Sequence, residues 1–219
     1  MALTLYTNPM SRGRIARWML EEVGAEYETV VLDYDKSMKA EAYRAINPMA
    51  KVPALVHNGK TITECAAICA YLAEAFPDAA LAPREEERAD YYRWLFYAAG
   101  PVEAAVGNRA LGVVPDAAQQ RMIGYGSLDR VIDVLEQAVA AHPYIAGDRV
   151  TAADVYVGSQ VIWGMQFGWL PKRPTFADYA ARLIERPAYK RAGDLDDALI
   201  AAAAQGRPTA CDQPLNPSS

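Results

Sequence analysis

The sequence predicts an α+β domain followed by an all-helical domain. Three observations carry this prediction. Over residues 1–78, short strand patterns and helix patterns follow one another in the order β-α-β-α-β-β-α, which builds a layer of mixed sheet and helices of the thioredoxin-like kind. Pro77 to Pro83 then reads as a linker, and beyond it helical periodicity takes over with no convincing strand. The chain has 219 residues, 52% of them hydrophobic, which is enough to bury a core in each of two small domains and argues against disorder.

Each element has a local reason. Leu3 to Thr7 alternates and carries β-formers, so it is a strand, and Asn8-Pro9 breaks it. A helix runs from about Arg12 to Val23, with Ile15, Trp18, Met19 and Val23 on one face and Arg14, Arg17, Glu21 and Glu22 on the other; Gly24 ends it. Tyr27 to Leu32 is the second strand. Lys39 to Ile46 is a short helix stopped by Asn47-Pro48. An apolar run from Pro53 to Val56, a turn at His57-Asn58-Gly59-Lys60 and a short strand at Thr61 to Thr63 lead into a helix from Glu64 to Phe76. In the second domain, Arg84 to about Leu111 forms one long helical pattern with a bend expected at Gly100-Pro101. Pro115 is expected to start the next helix as a first-turn proline, with Leu128, Val131, Ile132, Leu135 and Val139 on its buried face. Thr151-Ala152-Ala153-Asp154 is a capping-box variant ahead of Val155-Tyr156-Val157. Thr175 to Glu185 and Ala188 to about Ala204 are the last helices. The domains expected are therefore 1–78 and 84–205, with 206–219 a loose tail rich in Pro, Asn and Ser.

Composition excludes several functions. A net charge of −5 without a basic stripe argues against nucleic acid as a partner. No apolar run is long enough to span a bilayer, and the N-terminus enters a strand pattern without a signal-peptide profile. Three cysteines, Cys65, Cys69 and Cys211, make no disulfide framework. The two histidines, His57 and His142, lie beside turn signals, and no cluster has metal-ligand spacing, so no metal is expected. A cytoplasmic protein is the default.

One stretch organises the rest: Asn47-Pro48-Met49-Ala50-Lys51-Val52-Pro53-Ala54-Leu55, followed by Glu64-Cys65. A proline where a strand begins cannot donate to the ladder, and a cis peptide there turns the preceding residue's N–H and C=O outward. Glu64 and Cys65 then open a helix whose free N–H groups favour a carboxylate. Together they suit a small, anionic, peptide-like ligand.

These pieces, with Leu3-Thr4-Leu5-Tyr6, Ser11-Arg12-Gly13-Arg14, Ala67-Ile68 with Tyr71-Leu72, and Thr151-Ala152-Ala153-Asp154, resemble the cytosolic glutathione S-transferases over nearly the whole chain. The first turn, with Ser11, is similar to the bacterial, serine-type, theta-like classes. The resemblance implies a cytosolic homodimer with a detoxifying transferase activity. Glutathione is its co-substrate, and its thiolate attacks a hydrophobic electrophile between the domains. It implies that Ser11 stabilises the thiolate, with Tyr6 and Arg12 as alternatives. It implies that Lys39 and Lys51 hold the glycyl carboxylate, that Val52 before Pro53 pairs with the cysteinyl amide, and that Glu64 takes the α-amino group. Cys65 stands where the family usually has serine and is a poorer donor. Met10, Tyr97, Gly100, Glu103 and Trp163 are the residues implied for the electrophile, and Tyr91, Tyr92 and Trp94 belong to the dimer surface or the core.

The chemistry of the first turn can be weighed from the residues. Met10-Ser11-Arg12-Gly13 has no thiol, so thiol–disulfide exchange from this turn is excluded. A hydroxyl at a helix N-terminus can instead donate to a ligand thiolate. A thiol of pKa about 8.5 needs about 1.4 kcal/mol of preferential thiolate stabilisation per unit of depression. A hydrogen bond to a charged group supplies roughly 1.5–3 kcal/mol. Other glutathione chemistry on the same residues (peroxidase, dehalogenase or isomerase) and a non-catalytic binding role remain the alternatives to conjugation.

Overall fold

The structure is a computed structural model that describes residues 2–205. Cys211 and the expected tail lie outside the described residues. The chain divides into two compact units, one built from residues up to Ala79 together with those from Arg186 onward, the other from Ala80–Glu185. The helix expected to close the helical domain thus belongs with the sheet.

In the first unit, β1 (Leu3–Thr7), β2 (Glu28–Val31), β3 (Ala54–His57) and β4 (Lys60–Ile62) form one mixed sheet in the order β2-β1-β3-β4. β1 runs parallel to β2 and antiparallel to β3, and β3 is antiparallel to β4. The alternation read in β1 is real: Leu3, Leu5 and Thr7 are buried, while Thr4 and Tyr6 are half-buried. Tyr6 joins Val30, Ile46 and Val52 around a second cluster made of Leu32, Met38, Tyr43 and Ala54. Tyr43 comes from α2 (Glu41–Arg44), the short helix expected at 39–46, which is preceded by a 3-10 turn at Ser37–Lys39. α1 (Gly13–Val23) and α3 (Cys65–Ala75) cover the other face with Ile15, Met19, Leu20, Ile68 and Leu72.

α10 (Pro187–Ala204) lies along α1. The polar face of α1 is not a solvated face. Arg17 is 2% exposed and its Nε donates to buried Asp196 at 2.9 Å. Arg17 Nη1 also donates to the Tyr27 and Thr29 hydroxyl oxygens at 3.1 and 3.2 Å. Arg186 makes a bidentate pair with Glu22, both bonds 2.6 Å, and Arg191 pairs with Glu21. Trp18 packs edge-on against Tyr189, with centroids 4.9 Å apart. Charges opposed across the two helices thus bury a face that periodicity alone reads as exposed.

In the second unit, α4 (Arg88–Tyr97) passes through a π-helical turn, Ala98–Val102, into α5 (Glu103–Ala110). Pro101 lacks the N–H that an α-helical register needs, and the wider turn absorbs its loss at the place where a bend was expected. α6 (Gln119–Met122) is a single turn and α7 spans Leu128–Ala141. Pro115 therefore does not open the long helix. Gly126 takes a left-handed φ of 71°, which interrupts the chain, and Ser127 caps α7 by accepting from Arg130 N–H. The expected buried face of α7 is present in Val131, Ile132, Leu135 and Val139. α8 (Ala152–Phe167) is buried without interruption from Ala152 to Val161, as a central helix must be, and α9 (Pro174–Ile184) packs on it and on α7. The capping box of α8 is formed: Asp154, fully buried, accepts from Thr151 N–H, the Thr151 hydroxyl, Ile145 N–H and the Tyr179 hydroxyl at 2.8, 3.0, 2.7 and 2.8 Å. Tyr91 and Trp94 are core residues, at 1% and 8% exposure, and Tyr92 is 41% exposed. No helix among the described residues is long and apolar enough to cross a membrane.

Two substitutions test this packing. Asp154→Ala strands four buried donors and should cost about 3–5 kcal/mol in urea unfolding, whereas a surface acid such as Asp129 should cost almost nothing. A Cβ on Gly13 would stand 1.9 Å from the buried Thr7 Oγ1, so Gly13→Ala should cost about 2 kcal/mol in the same measurement.

Candidate functional site

The first unit gathers the expected glutathione residues at one end of its sheet. Tyr6 pairs with Ala54, so Val52-Pro53 runs out where the loop from Asn8 to Arg12 leaves β1. β4 ends at Ile62, paired with Leu55, and delivers Glu64 to the same end. The Val52–Pro53 peptide is cis. Among the described residues no hydrogen bond uses the backbone N–H or carbonyl of Val52. The turn before it is well held. Lys51 C=O accepts from the Tyr43 hydroxyl at 2.6 Å and from Asn47 Nδ2 at 2.8 Å. Burial pushes the Tyr43 phenol up to about 12, which keeps it a donor. Lys39 Nζ donates to Ala50 C=O at 3.3 Å, so the two lysines flank this turn, with Lys51 itself exposed.

The loop of Ser11 is fixed by its own side chains. Asn8 Nδ2 donates to Leu32 C=O at 2.8 Å and its Oδ1 accepts from Met10 N–H at 2.9 Å. Three successive carbonyls then find side-chain donors: Asn8 takes the Ser11 hydroxyl at 2.6 Å, Pro9 takes Arg14 Nε at 2.6 Å, and Met10 takes the Tyr34 hydroxyl at 3.1 Å. Ser11 Oγ in turn accepts from Gly13 N–H at 2.9 Å. The serine is half-buried and engaged as a helix-start hydroxyl in the unliganded chain. Its proton points at a carbonyl of its own loop, so stabilising a thiolate requires that proton to turn. Arg12, exposed in the first turn, adds a positive charge beside it.

Tyr6, the alternative hydroxyl, occupies a different environment. Its ring lies 5.7 Å from that of Tyr43 in the apolar cluster, and burial first, then Glu28, raise its pKa. Raising the pKa weakens a phenol as a donor to a thiolate.

α3 begins beside α1. Cys65 Sγ donates to Arg12 C=O at 3.6 Å and the thiol is 8% exposed; Cys69, one turn on, is fully buried. Glu64 precedes the helix with φ 64° and ψ 113°, a left-handed conformation costly for a residue with a Cβ. Its side chain is exposed at the N-terminus of α3, where the carboxylate is also favoured by the helix dipole.

In the second unit, the five-residue set divides. Met10 belongs to the first unit and is 75% exposed at the loop tip. Tyr97 turns inward: its hydroxyl donates to Val131 C=O at 3.0 Å and burial raises it to about 12, so it serves the helix packing. A Cβ on Gly100 would meet open space, and Glu103 accepts from Gln160 Nε2 at 2.8 Å, while Trp163 is half-buried one turn further along α8. Gln160, Tyr34, Tyr43, Asn47 and Arg14 were not singled out from the sequence as supports, because each acts on a group distant in the chain or on a backbone carbonyl. Among the described residues no group of three or more His, Cys, Asp or Glu is placed to hold a metal.

Comparison with known proteins adds the family and the fold. The family model for the glutathione S-transferase N-terminal domain matches residues 1–74. Glutathione S-transferase F10 of Arabidopsis thaliana is 32% identical over 167 residues, covering 71% of this chain and 77% of the relative. Glutathione S-transferase GstA of Escherichia coli O157:H7 is 27% identical over 205 residues, 91% and 98% of the two chains. The theta class glutathione S-transferase of Xanthomonas axonopodis pv. citri, solved with glutathione bound, superposes with a TM-score of 0.69 at 28% identity over 87% of this chain and 96% of its own.

The conformation of Glu64 generates a prediction. Glu64→Gly relieves the left-handed strain and should raise stability in urea unfolding by about 1 kcal/mol, while glutathione affinity by calorimetry falls at least several-fold. Glu64→Ala should lose the affinity without the gain in stability.

Proposed function

Because this chain belongs to the glutathione S-transferase family, we propose that it conjugates the thiolate of glutathione to a hydrophobic electrophile. The observation that carries this reading is the unpaired Val52 backbone, set between two lysines and the starts of α1 and α3. A peptide laid antiparallel to Val52 finds a donor and an acceptor there. Lys51 and Lys39 are in place for a glycyl carboxylate. Glu64 receives the α-amino group, and the first N–H groups of α3, with Cys65 N–H among them, receive the γ-glutamyl carboxylate.

Ser11 then works by exchange of partners. Its proton leaves the Asn8 carbonyl for the ligand sulfur while Gly13 N–H remains on Oγ. A neutral bond of about 1 kcal/mol is traded for a charge-assisted one of roughly 1.5–3 kcal/mol. The start of α1 adds about 0.3–1 kcal/mol for an anion. The sum, about 0.8–3 kcal/mol, lowers a thiol from about 8.5 to about 6.3–7.9. Glutathione is thereby ionised at neutral pH to about 10–80%, against about 3% for the free thiol, although less fully than an uncommitted hydroxyl would make it. Tyr6, raised by burial, is not assigned this role.

For the second substrate the reading assigns Met10 in the first unit and Gly100, Glu103 and Trp163 in the helical one. The Glu103 carboxylate disfavours anionic electrophiles. Tyr97 is reassigned to packing. With this activity go a homodimer and a cytoplasmic location.

Ultraviolet difference absorbance of the thiolate tests the reading as glutathione is titrated onto the protein across pH. Wild type and Tyr6→Phe should show a band at neutral pH. In Ser11→Ala the bound thiol should titrate about one unit or more higher, with a loss of turnover at neutral pH of about tenfold. Binding with no thiolate band in the wild type would refute conjugation and favour a carrier.

A further inference from the structure

We propose that Arg14 is a positioning residue for the Ser11 loop, and that Asp197 of α10 sets Arg14. The inference rests on the role of Ser11 proposed above. Arg14 is a first-turn residue of α1 that reaches in two directions at once. Its Nε donates back to the Pro9 carbonyl at 2.6 Å, and its Nη2 donates to Asp197 Oδ1 at 2.5 Å. Pro9 is buried and sits between Asn8, whose carbonyl holds the Ser11 proton, and Met10, whose carbonyl takes the Tyr34 hydroxyl. The carbonyl that Arg14 grips is thus the middle one of the three that shape the loop.

The guanidinium is suited to this because its donors lie in a rigid plane, so fixing one edge orients the other. Asp197 fixes the outer edge. Its neighbour Asp196 is anchored to Arg17, one turn along α1 from Arg14, in a pair whose side chains are 0% and 3% exposed. The buried pair settles the register of α10 on α1, and that register brings Asp197 to Arg14. With its side chain 69% exposed, Asp197 adds little attraction of its own. What it contributes is the direction in which Arg14 points. Arg14 thus bonds both the Ser11 loop and α10.

A plain tie between two helices would affect stability alone. A positioning role predicts instead that the ionisation of bound glutathione responds. The test is the thiolate titration on full-length protein, with urea unfolding measured in parallel, for Ser11→Ala, Arg14→Met, Arg14→Lys, Asp197→Asn, Asp197→Glu and the double variant Arg14→Met with Asp197→Asn. Arg14→Met should raise the bound thiol by about half a unit to one unit, a three- to tenfold loss of turnover at neutral pH, with the glutathione KM within about twofold. Asp197→Asn should give a smaller shift in the same direction and Asp197→Glu should restore the wild-type value. Because Asp197 acts through Arg14, the double variant should be no worse than Arg14→Met. Arg14→Lys, a point charge that cannot grip both partners, should fall between, and it stands in should Arg14→Met fail to fold. If Ser11→Ala shifts the thiol while Arg14→Met and Arg14→Lys leave it at the wild-type value, the positioning role is overturned and the role of Ser11 stands. If Ser11→Ala itself leaves the thiol unmoved, both fall together.

Discussion

How near α1 can come to β1 decides most of what happens at the glutathione end of the sheet. At Gly13 the helix start is pressed against Thr7 with no room for a Cβ, so the loop between them is short and has no slack. Five residues, Asn8 to Arg12, must reverse the chain there, and one of them is a proline without an N–H. The Ser11 and Arg12 carbonyls accept from the first N–H groups of α1, but those of Asn8, Pro9 and Met10 are left to side chains. They are met by Ser11, Arg14 and Tyr34, and the same bonds that satisfy them determine where the serine hydroxyl stands. The placing of the proposed catalytic hydroxyl is thus a by-product of satisfying the backbone.

That dependence explains why the site tolerates strain in one place and not in another. Glu64 occupies a left-handed conformation that a glycine would hold at lower cost. Replacing it would forfeit a carboxylate at the start of α3, where we propose that an α-amino group is received. Gly13 is the opposite case, because there the backbone approach itself is required and any side chain would interfere. One position gives up stability for chemistry, and the other gives up side-chain chemistry for proximity.

The elements of the first 78 residues were legible from local pattern, down to the short strand after Asn58-Gly59, because turn chemistry and alternation act over a few residues; the cis bond before Pro53 was suggested by the family resemblance. The capping box at Thr151 was legible too. What escaped was decided at long range. Arg17 was placed on the polar face of α1, but nothing local shows that Asp196 meets it from 179 residues away. Pro115 reads as a helix start because first-turn proline is favourable, yet Gly126 and the Ser127 cap overrule it further on. Tyr97 has the spacing of a site residue, and only the carbonyl of Val131 reveals that its hydroxyl is spent on packing. Ser11 was visible as a candidate, but its bond to Asn8 was not, since a sequence does not say which way a hydroxyl faces.

The membership of α10 in the first unit has a consequence for the order in which the protein is made. Residues 2–79 emerge from the ribosome with the sheet, α1 and α3 complete, but without the helix that buries the polar face of α1. Until Asp196 follows, Arg17 must keep its charge in water, so that face stays solvated and the unit cannot close to its final state. Breaking a buried pair by removing one partner costs about 3–5 kcal/mol, a large fraction of what a small domain has to spare. The helical unit, residues 80–185, is synthesised in between. Vectorial synthesis therefore runs against the numbering: the unit that begins first is completed only when α10 follows the helical unit.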